Sequence, residues 1–188
     1  MGKHELARAA VFLDRDGVIN PVLIRNGMPH PPCHVEEFDV YEDVPDGCAR
    51  LKAANFLLVV ITNQPDVGRG TQSRKAVDAM NLKMRSALPL LDRIEVCYHG
   101  GEHYGQPCDC RKPRPGLILR AAAELNIDPK KSYVIGDRWR DVDCARAAGC
   151  RAILIQRGGY KEVLREVPDF TVQNFNEAVS AVLRDSGR

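Results

Sequence analysis

Two aspartates one residue apart, Asp14 and Asp16, directly follow the short apolar run Ala10–Leu13. A β-strand that ends in two carboxylates places them at the rim of a sheet, where one can act as a nucleophile and the other as a proton donor. We therefore predict that Asp14 attacks phosphorus and that Asp16 protonates the leaving oxygen. Acidic pairs are also common in solvated turns, so this interpretation depends on other segments of the chain.

Three further segments follow in an order that supports this chemistry. They are the apolar stretch that leads to Thr62, the tripeptide around Lys112, and the pattern G-D-x-x-x-D-x-x-x-A-x-x-A-G, whose first acid is Asp137. Together with the aspartate pair they resemble the four motifs of the haloacid dehalogenase (HAD) superfamily of phosphatases. The resemblance extends over residues 9–157, which is most of the chain. Within the last motif, Asp141 is expected to position Lys112 or a metal-bound water.

The resemblance implies a role for each of these residues. Asp14 would form an aspartyl-phosphate, and Asp14, the backbone carbonyl of Asp16 and Asp137 would hold a Mg²⁺ ion. Thr62 would donate to a phosphate oxygen, and Lys112 would bring positive charge to the phosphoryl group. In isolation, Thr62 would be taken for a β-branched strand residue and Lys112 for a surface lysine.

A narrower resemblance concerns the substrate. The segments D-x-D-G-x-I-N, T-N-Q and C-x-H…C-x-C-R-K-P, without room for a cap domain, resemble the group of D-glycero-D-manno-heptose 1,7-bisphosphate phosphatases and histidinol-phosphate phosphatases. That resemblance and the arginines expected near the pocket imply substrate contacts at Asn20, Arg25, Asn63, Arg69, Arg111 and Arg138. The chain departs from the usual heptose pattern at residues 65–68, which read Pro-Asp-Val-Gly where Ser-Gly-Ile-Ala is usual.

The expected function is removal of the 7-phosphate of a heptose 1,7-bisphosphate, in nucleotide-heptose synthesis for lipopolysaccharide or a related glycan. Two alternatives remain open at this point. One is histidinol-phosphate phosphatase, and the other is a non-catalytic domain that binds a phosphorylated ligand.

A second set of metal-binding residue types lies in one loop. Cys97, His99, Cys108 and Cys110 have the spacing C-x-H…C-x-C, and four thiolate and imidazole ligands suit tetrahedral Zn²⁺. A site with four protein ligands is closed, so the zinc would be structural and would hold the segment ahead of Lys112. His103 is the alternative to His99, and free thiols are the competing interpretation.

Composition limits the other possibilities. The 188 residues carry a net charge of +2, which gives no reason to expect nucleic acid or a membrane surface as partner. The chain has no apolar run long enough to span a bilayer and no N-terminal signal pattern. Seven cysteines without such a signal indicate reduced thiols or metal ligands. We therefore expect one domain over residues 1–188, a monomer, and a cytoplasmic location.

Apolar runs alternate with helical patterns along the chain. The predicted strands are residues 9–13, 56–61, 94–97, 133–135 and 152–155, and the predicted helices are 45–54, 73–87, 115–126, 140–148 and 175–184. This alternation predicts an α/β fold with a doubly wound, mostly parallel sheet of the Rossmann-like HAD type. The irregular stretches 20–43 and 98–114 are too short for a separate cap domain, so we expect a capless member with a zinc-binding loop.

Overall fold

The computed structural model describes residues 7–25, 28–157 and 162–188 of the protein. In these ranges the strands are β1 Ala10–Leu13, β2 Leu23–Arg25, β3 Met28–His30, β4 Leu57–Asn63, β5 Arg93–Cys97, β6 Tyr133–Gly136, β7 Arg151–Ile155 and β8 Phe170–Val172. The helices are α1 Val44–Ala53, α2 Pro65–Gly68, α3 Arg74–Ala87, α4 Gly116–Leu125, α5 Trp139–Ala148 and α6 Phe175–Asp185.

Six of these strands form one parallel sheet in the order β5-β4-β1-β6-β7-β8. The chain moves from β1 outward through β4 and β5, then returns to the other side of β1 and continues through β6, β7 and β8. Strand β1 therefore lies at the point where the winding direction reverses, which is where sheets of this kind bind ligands. The predicted doubly wound α/β fold is confirmed.

The central strands are apolar on both faces because helices cover both. In β1, Val11 and Leu13 pack into the core beneath α1, α3 and α6. The intervening Ala10 and Phe12 pack into the opposite core beneath α4 and α5. Successive side chains of a strand point to opposite faces, so one short apolar run serves both layers.

The predicted elements agree with the observed ones to within about two residues at each end, which is the usual uncertainty of helix and strand boundaries. Gly149 directly follows α5, and its φ of +80° is the left-handed conformation expected of a glycine after a helix. The helix predicted over residues 115–126 has Pro115 in its first turn, but in the structure Pro115 precedes α4 as its N-terminal cap residue.

Some short elements were not predicted. They are the edge strand β8, the antiparallel hairpin of β2 and β3, and the four-residue helix α2. Strands β2, β3 and β8 have three residues each, too few for a period of two to stand out. The hairpin occupies the first irregular stretch, in agreement with the capless fold. In the described ranges no helix has the length and apolar character needed to cross a membrane.

Candidate active site

Three neighbouring strands bring the predicted catalytic residues to one edge of the sheet. Asp14 follows the last residue of β1, Asp137 follows the last residue of β6, and Thr62 is the penultimate residue of β4. Because β4 and β6 flank β1 in a parallel sheet, the three carboxyl ends meet at one point. Asp14 and Thr62 are buried there.

Lys112 lies at the centre of this point. Its Nζ is 2.8 Å from Asp14 Oδ1 and 2.7 Å from Asp141 Oδ1, and it donates to the carbonyl oxygen of Ile61 at 3.0 Å. Burial acts to lower the pKa of Lys112, but Asp14 and Asp141 outweigh it and raise that pKa. The ammonium group is therefore charged and held in place, and Asp141 positions it as predicted from the sequence.

The backbone of Lys112 is fixed by Asn63. The Lys112 amide donates to Asn63 Oδ1 at 3.0 Å, and Asn63 Nδ2 donates to the Lys112 carbonyl at 3.1 Å. Asn63 was expected to contact substrate, and that contact stays a prediction. In the structure its side chain joins the end of β4 to the segment that carries the lysine.

Three carboxylates crowd together in this site. One carboxylate oxygen from each of Asp14, Asp137 and Asp141 lies within 4.8 Å of the other two. Burial, followed by the charge of Asp141, raises the pKa of Asp14 to about 6 against the opposing effect of Lys112. Burial and the charges of Asp14 and Asp141 also raise the pKa of Asp137 well above its usual range.

The surroundings of Asp137 fit a hard divalent cation. Its Oδ1 is buried and, among the described residues, has no hydrogen-bond partner. The other oxygen, Asp137 Oδ2, lies close to the backbone of Gly17, whose φ is +96°. Any larger residue would clash there, since a Cβ on Gly17 would lie 2.2 Å from Oδ2. Oxygen ligands, clustered negative charge and an unpartnered carboxylate oxygen are what Mg²⁺ requires. The residues present therefore fit the predicted metal.

Asp16 is surrounded by hydrogen-bond donors. Arg15 donates from Nε and Nη2 to both carboxylate oxygens at 3.1–3.3 Å. Asn20 Nδ2 donates to Oδ1 at 3.0 Å, and Gln64 Nε2 donates to Oδ2 at 2.8 Å. Gln64 also donates to Thr62 Oγ1 at 2.9 Å. We call Arg15, Asn20 and Gln64 the donor cage of Asp16.

Sequence reasoning missed Arg15 as a functional residue, whereas the resemblance placed Gln64, within residues 62–65, among the expected substrate contacts. Arg15 is the variable residue of D-x-D, and Gln64 ends the T-N-Q segment. Asn20 was expected to touch substrate, whereas its amide here bonds to Asp16. The position of Arg15 between two acids was the available signal for its role. In an extended chain, however, successive side chains point to opposite faces, and this pattern does not reveal that Arg15 turns back onto Asp16.

A cavity of about 410 Å³ adjoins Lys112. Its lining includes Arg69 and Arg111, together with Tyr104 and Trp139. Burial and the nearby charge of Arg69 lower the pKa of Arg111, so the two guanidinium groups repel each other in the absence of an anion. The cavity is therefore suited to a negatively charged group.

The other two arginines predicted for the substrate differ in position. Arg138 forms ion pairs with Asp137 at 3.2 Å and with Glu162 at 2.8 Å, so it links α5 to the loop after β7. Its predicted contact with substrate remains a prediction. Arg25 ends β2, but its side chain lies outside the described residues.

The four predicted zinc ligands also converge. The Sγ atoms of Cys97 and Cys108 are 3.8 Å apart, and His99 Nδ1 is 3.6 Å from Cys97 Sγ and 3.3 Å from Cys110 Sγ. Zn–S bonds of about 2.3 Å in a tetrahedron give S···S edges of about 3.8 Å, so these residues fit Zn²⁺. His99 is the histidine of the group, while His103 lines the neighbouring cavity.

Known proteins are similar to this chain in both sequence and fold. The family model described as HAD-hydrolase-like matches residues 109–178. A D-glycero-beta-D-manno-heptose-1,7-bisphosphate 7-phosphatase of Haemophilus ducreyi is 36% identical over 162 residues, which are 82% of this chain and 86% of the relative. The chain belongs to the HAD phosphatases. This confirms the expected family and the expected class of enzyme, a phosphatase.

Other relatives extend the comparison. The enzyme of the same name from Vibrio cholerae is 36% identical, over 97% of this chain and 94% of the relative. The solved structure of the D,D-heptose 1,7-bisphosphate phosphatase of B. bronchiseptica, in complex with magnesium and phosphate, aligns with a TM-score of 0.75. It is 27% identical, and the alignment covers 94% of this chain and 99% of that one.

Proposed function

We propose that this HAD phosphatase removes the 7-phosphate of D-glycero-D-manno-heptose 1,7-bisphosphate, with Mg²⁺ as cofactor, in nucleotide-heptose synthesis. The observation that carries the proposal is the convergence of Asp14, Asp137 and Lys112 beside a cavity lined by Arg69 and Arg111. The two acids and Lys112 suit the phosphate that is cleaved. Arg69 and Arg111 suit a second phosphate on the same molecule. The activity named for the relatives supports this substrate.

Asp14 is the nucleophile in this proposal. Lys112 Nζ and the amide of Arg15 both donate to its Oδ1, at 2.8 and 2.7 Å. Among the described residues no donor meets Oδ2, so Oδ2 is the oxygen that attacks phosphorus. Lys112 fixes the orientation of the carboxylate and balances negative charge on the phosphoryl oxygens, to one of which the Thr62 hydroxyl donates a hydrogen bond.

The carboxylates of Asp14 and Asp137, with the backbone carbonyl of Asp16, would hold the Mg²⁺ ion. When bound, the ion supplies positive charge that reduces the repulsion between the Asp14 carboxylate and the phosphate. Asp141 remains bonded to Lys112 in this arrangement.

Asp16 transfers the proton in both half-reactions. As the phosphorus–oxygen bond of the ester breaks, Asp16 gives its proton to the leaving sugar oxygen, and Asp14 carries the phosphoryl group. Water then attacks phosphorus, Asp16 accepts a proton from that water, and the bond to Asp14 breaks to release phosphate. The donor cage holds the Asp16 carboxylate in place when it accepts that proton.

Arg111 is the proposed partner of the second phosphate. Its Nη1 donates to the carbonyl oxygen of His99 at 3.0 Å, which ties the arginine to the loop that would bind zinc. In this proposal Zn²⁺ is held by Cys97, His99, Cys108 and Cys110 and has a structural role. Arg111 adjoins Lys112 in sequence and both line the same cavity, which suits two phosphates carried by one small molecule.

The test compares kcat/KM on heptose 1,7-bisphosphate with that on histidinol phosphate, which has a single phosphate. The wild type should prefer the bisphosphate by at least about tenfold, because a charge-assisted hydrogen bond contributes about 1.5–3 kcal/mol. Arg111→Ala should lose most of that preference, whereas Arg184→Ala, at an exposed position of α6, should keep it. Faster turnover of histidinol phosphate by the wild type would reject the substrate.

A further inference from the structure

Arg15 is a charged side chain that is fully buried, with 0% of its surface exposed. Among the described residues its only carboxylate partner is Asp16, whose side chain is 14% exposed. The remaining nitrogen, Nη1, donates to Asn81 Oδ1 of α3 at 3.0 Å, and the guanidinium lies 5.6 Å from the ring centre of Phe38. Arg15 is therefore held on three sides. Its Nε and Nη2 groups, which we call the guanidinium fork, donate to Asp16.

Packing alone does not account for a charge at this place. Burial of an ion pair costs several kcal/mol of desolvation, and apolar residues of similar volume often stabilise a fold equally well. The arginine also lies beside the residue that must exchange protons with substrate and water. These facts indicate a role that depends on the charge and on the planar fork of the guanidinium.

The donor cage matches one protonation state of Asp16. Arg15 reaches both oxygens, Asn20 bonds Oδ1 and Gln64 bonds Oδ2, and each of these contacts is donated to Asp16. A carboxylate accepts such bonds, whereas a protonated carboxyl group needs an acceptor for its own proton. None of the observed contacts to Asp16 offers an acceptor, so this arrangement fits the carboxylate, which is the form that takes a proton from water.

We propose that Arg15 is a positioning residue for the second half-reaction, an inference that rests on the proposed function. It aims the Asp16 carboxylate at the water that hydrolyses the aspartyl-phosphate on Asp14. In the first half-reaction Asp16 must already carry a proton, and it then gives up part of its contact with the fork. Loss of the fork slows hydrolysis of the aspartyl-phosphate more than its formation.

Pre-steady-state turnover of p-nitrophenyl phosphate with Mg²⁺ tests this directly. The nitrophenolate leaves without an acid, so phosphorylation of Asp14 needs little help from Asp16. In Arg15→Lys, which keeps the charge but loses the fork, we expect the steady-state rate to fall at least about tenfold. We also expect a larger initial burst of nitrophenol than in the wild type, because aspartyl-phosphate accumulates.

Two comparisons separate this role from a structural one. Asp16→Asn should show the same burst, and Arg15→Lys added to Asp16→Asn should cause no further loss of rate, because both act through one carboxylate. Asn81→Ala leaves Arg15 in place and removes only the bond to its Nη1, so it should show a weaker form of the same signature. It serves as the test if the Arg15 variants do not fold by circular dichroism.

The outcomes that contradict the inference are distinct from those that contradict the proposed function. A folded Arg15→Lys protein with a rate within twofold of the wild type and no gain in burst would overturn the role of Arg15 alone, provided that Asp16→Asn shows the burst. If Asp16→Asn shows no gain either, the acid–base role of Asp16 fails and the inference fails with it.

Discussion

At the scale of single residues, the contact between Lys112 Nζ and Asp14 Oδ1 organises the site. The distance of 2.8 Å, with both groups buried, holds the carboxylate in one orientation and leaves its second oxygen without a donor among the described residues. A carboxyl group whose pKa is raised by burial, as that of Asp14 is, is unusual outside functional sites. Asp141 shares the same lysine at 2.7 Å, so removal of one acid does not leave the ammonium group unpaired.

Asp14→Asn should abolish turnover and leave the fold intact. The amide is nearly isosteric with the carboxylate but is a far weaker nucleophile, so we expect kcat to fall by about 10³-fold or more. Asp141 still pairs with Lys112, so the unfolding temperature should change little. Steady-state hydrolysis with Mg²⁺ measures the first effect and thermal denaturation the second. Asp39→Asn, at an exposed ion pair with Lys83, is the matched control, and an Asp14→Asn enzyme with most of its activity would exclude covalent catalysis by Asp14.

Mg²⁺ should stabilise the protein more at pH 7.5 than at pH 5. The folded pKa of Asp14, about 6, lies above its usual value of 3.8. Without a cation, the stability that comes from this shift is present at low pH and is lost as the pH rises through about 6. Mg²⁺ replaces the lost proton, so the rise in unfolding temperature on adding Mg²⁺ should grow over that interval. Asp137→Asn should reduce the rise, and an equal rise at both pH values would contradict the assignment of the metal ligands.

The sequence was sufficient to predict that Asp14 and Asp137 meet, because each follows the end of an apolar run and parallel strands end at one edge. Lys112 was placed with them by the resemblance to the HAD motifs. The sequence could not show what the other polar side chains do. Asn20 and Asn63 have the residue types of substrate ligands, yet in the structure their amides bond to Asp16 and to the Lys112 backbone. The direction of a side chain after a tight turn depends on tertiary contacts that no spacing reveals.

At the scale of elements, the loop of residues 97–110 joins the sheet to the segment that carries Lys112. It begins at the last residue of β5, contributes the four candidate zinc ligands, and leads directly to Arg111. Gln106 Nε2 also donates to the carbonyl oxygen of Gly68 in α2 at 3.1 Å. In the proposed function, zinc bound to this loop fixes the side of the pocket that faces the second phosphate.

Purified protein should contain about one Zn²⁺ per chain, as a closed four-ligand site binds metal tightly. Cys108→Ser should lose the metal. Its activity should drop because the loop no longer holds Arg111 and Lys112 in position, although every side chain that takes part in the reaction is still present. Elemental analysis and thiol titration measure this. Cys33→Ser, outside the cluster, should retain zinc. Wild-type protein that carries no zinc, with the cluster thiols freely reactive, would contradict the site.

The elements that were predicted from the sequence are those long enough to show a clear hydrophobic pattern. Helix α3 spans 14 residues with Val77, Met80 and Met84 on its buried side, and it was predicted correctly. Strand β8 has only three residues and no fully buried one, so neither length nor periodicity distinguished it from a loop. The candidate zinc ligands were predicted from their spacing, because Cys and His are rare at such density by chance.

At the scale of the whole molecule, two cores pack on opposite faces of one sheet and leave its carboxyl edge for chemistry. The sheet connects both cores, so we propose that residues 1–188 form one domain. The expected monomer and cytoplasmic location also stay predictions. The alternation of strands and helices was enough to predict this architecture, since right-handed crossovers leave few other arrangements.

The position of the phosphate that is removed tests the central claim most directly. Heptose 1,7-bisphosphate is incubated with enzyme and Mg²⁺, and the products are followed by ³¹P NMR, with Asp14→Asn as the control. We predict inorganic phosphate and heptose 1-phosphate in equal amounts, with the anomeric phosphate signal intact and no reaction in the control. Release of the anomeric phosphate, or no consumption of the bisphosphate by wild-type enzyme that hydrolyses other phosphate esters, would contradict the account.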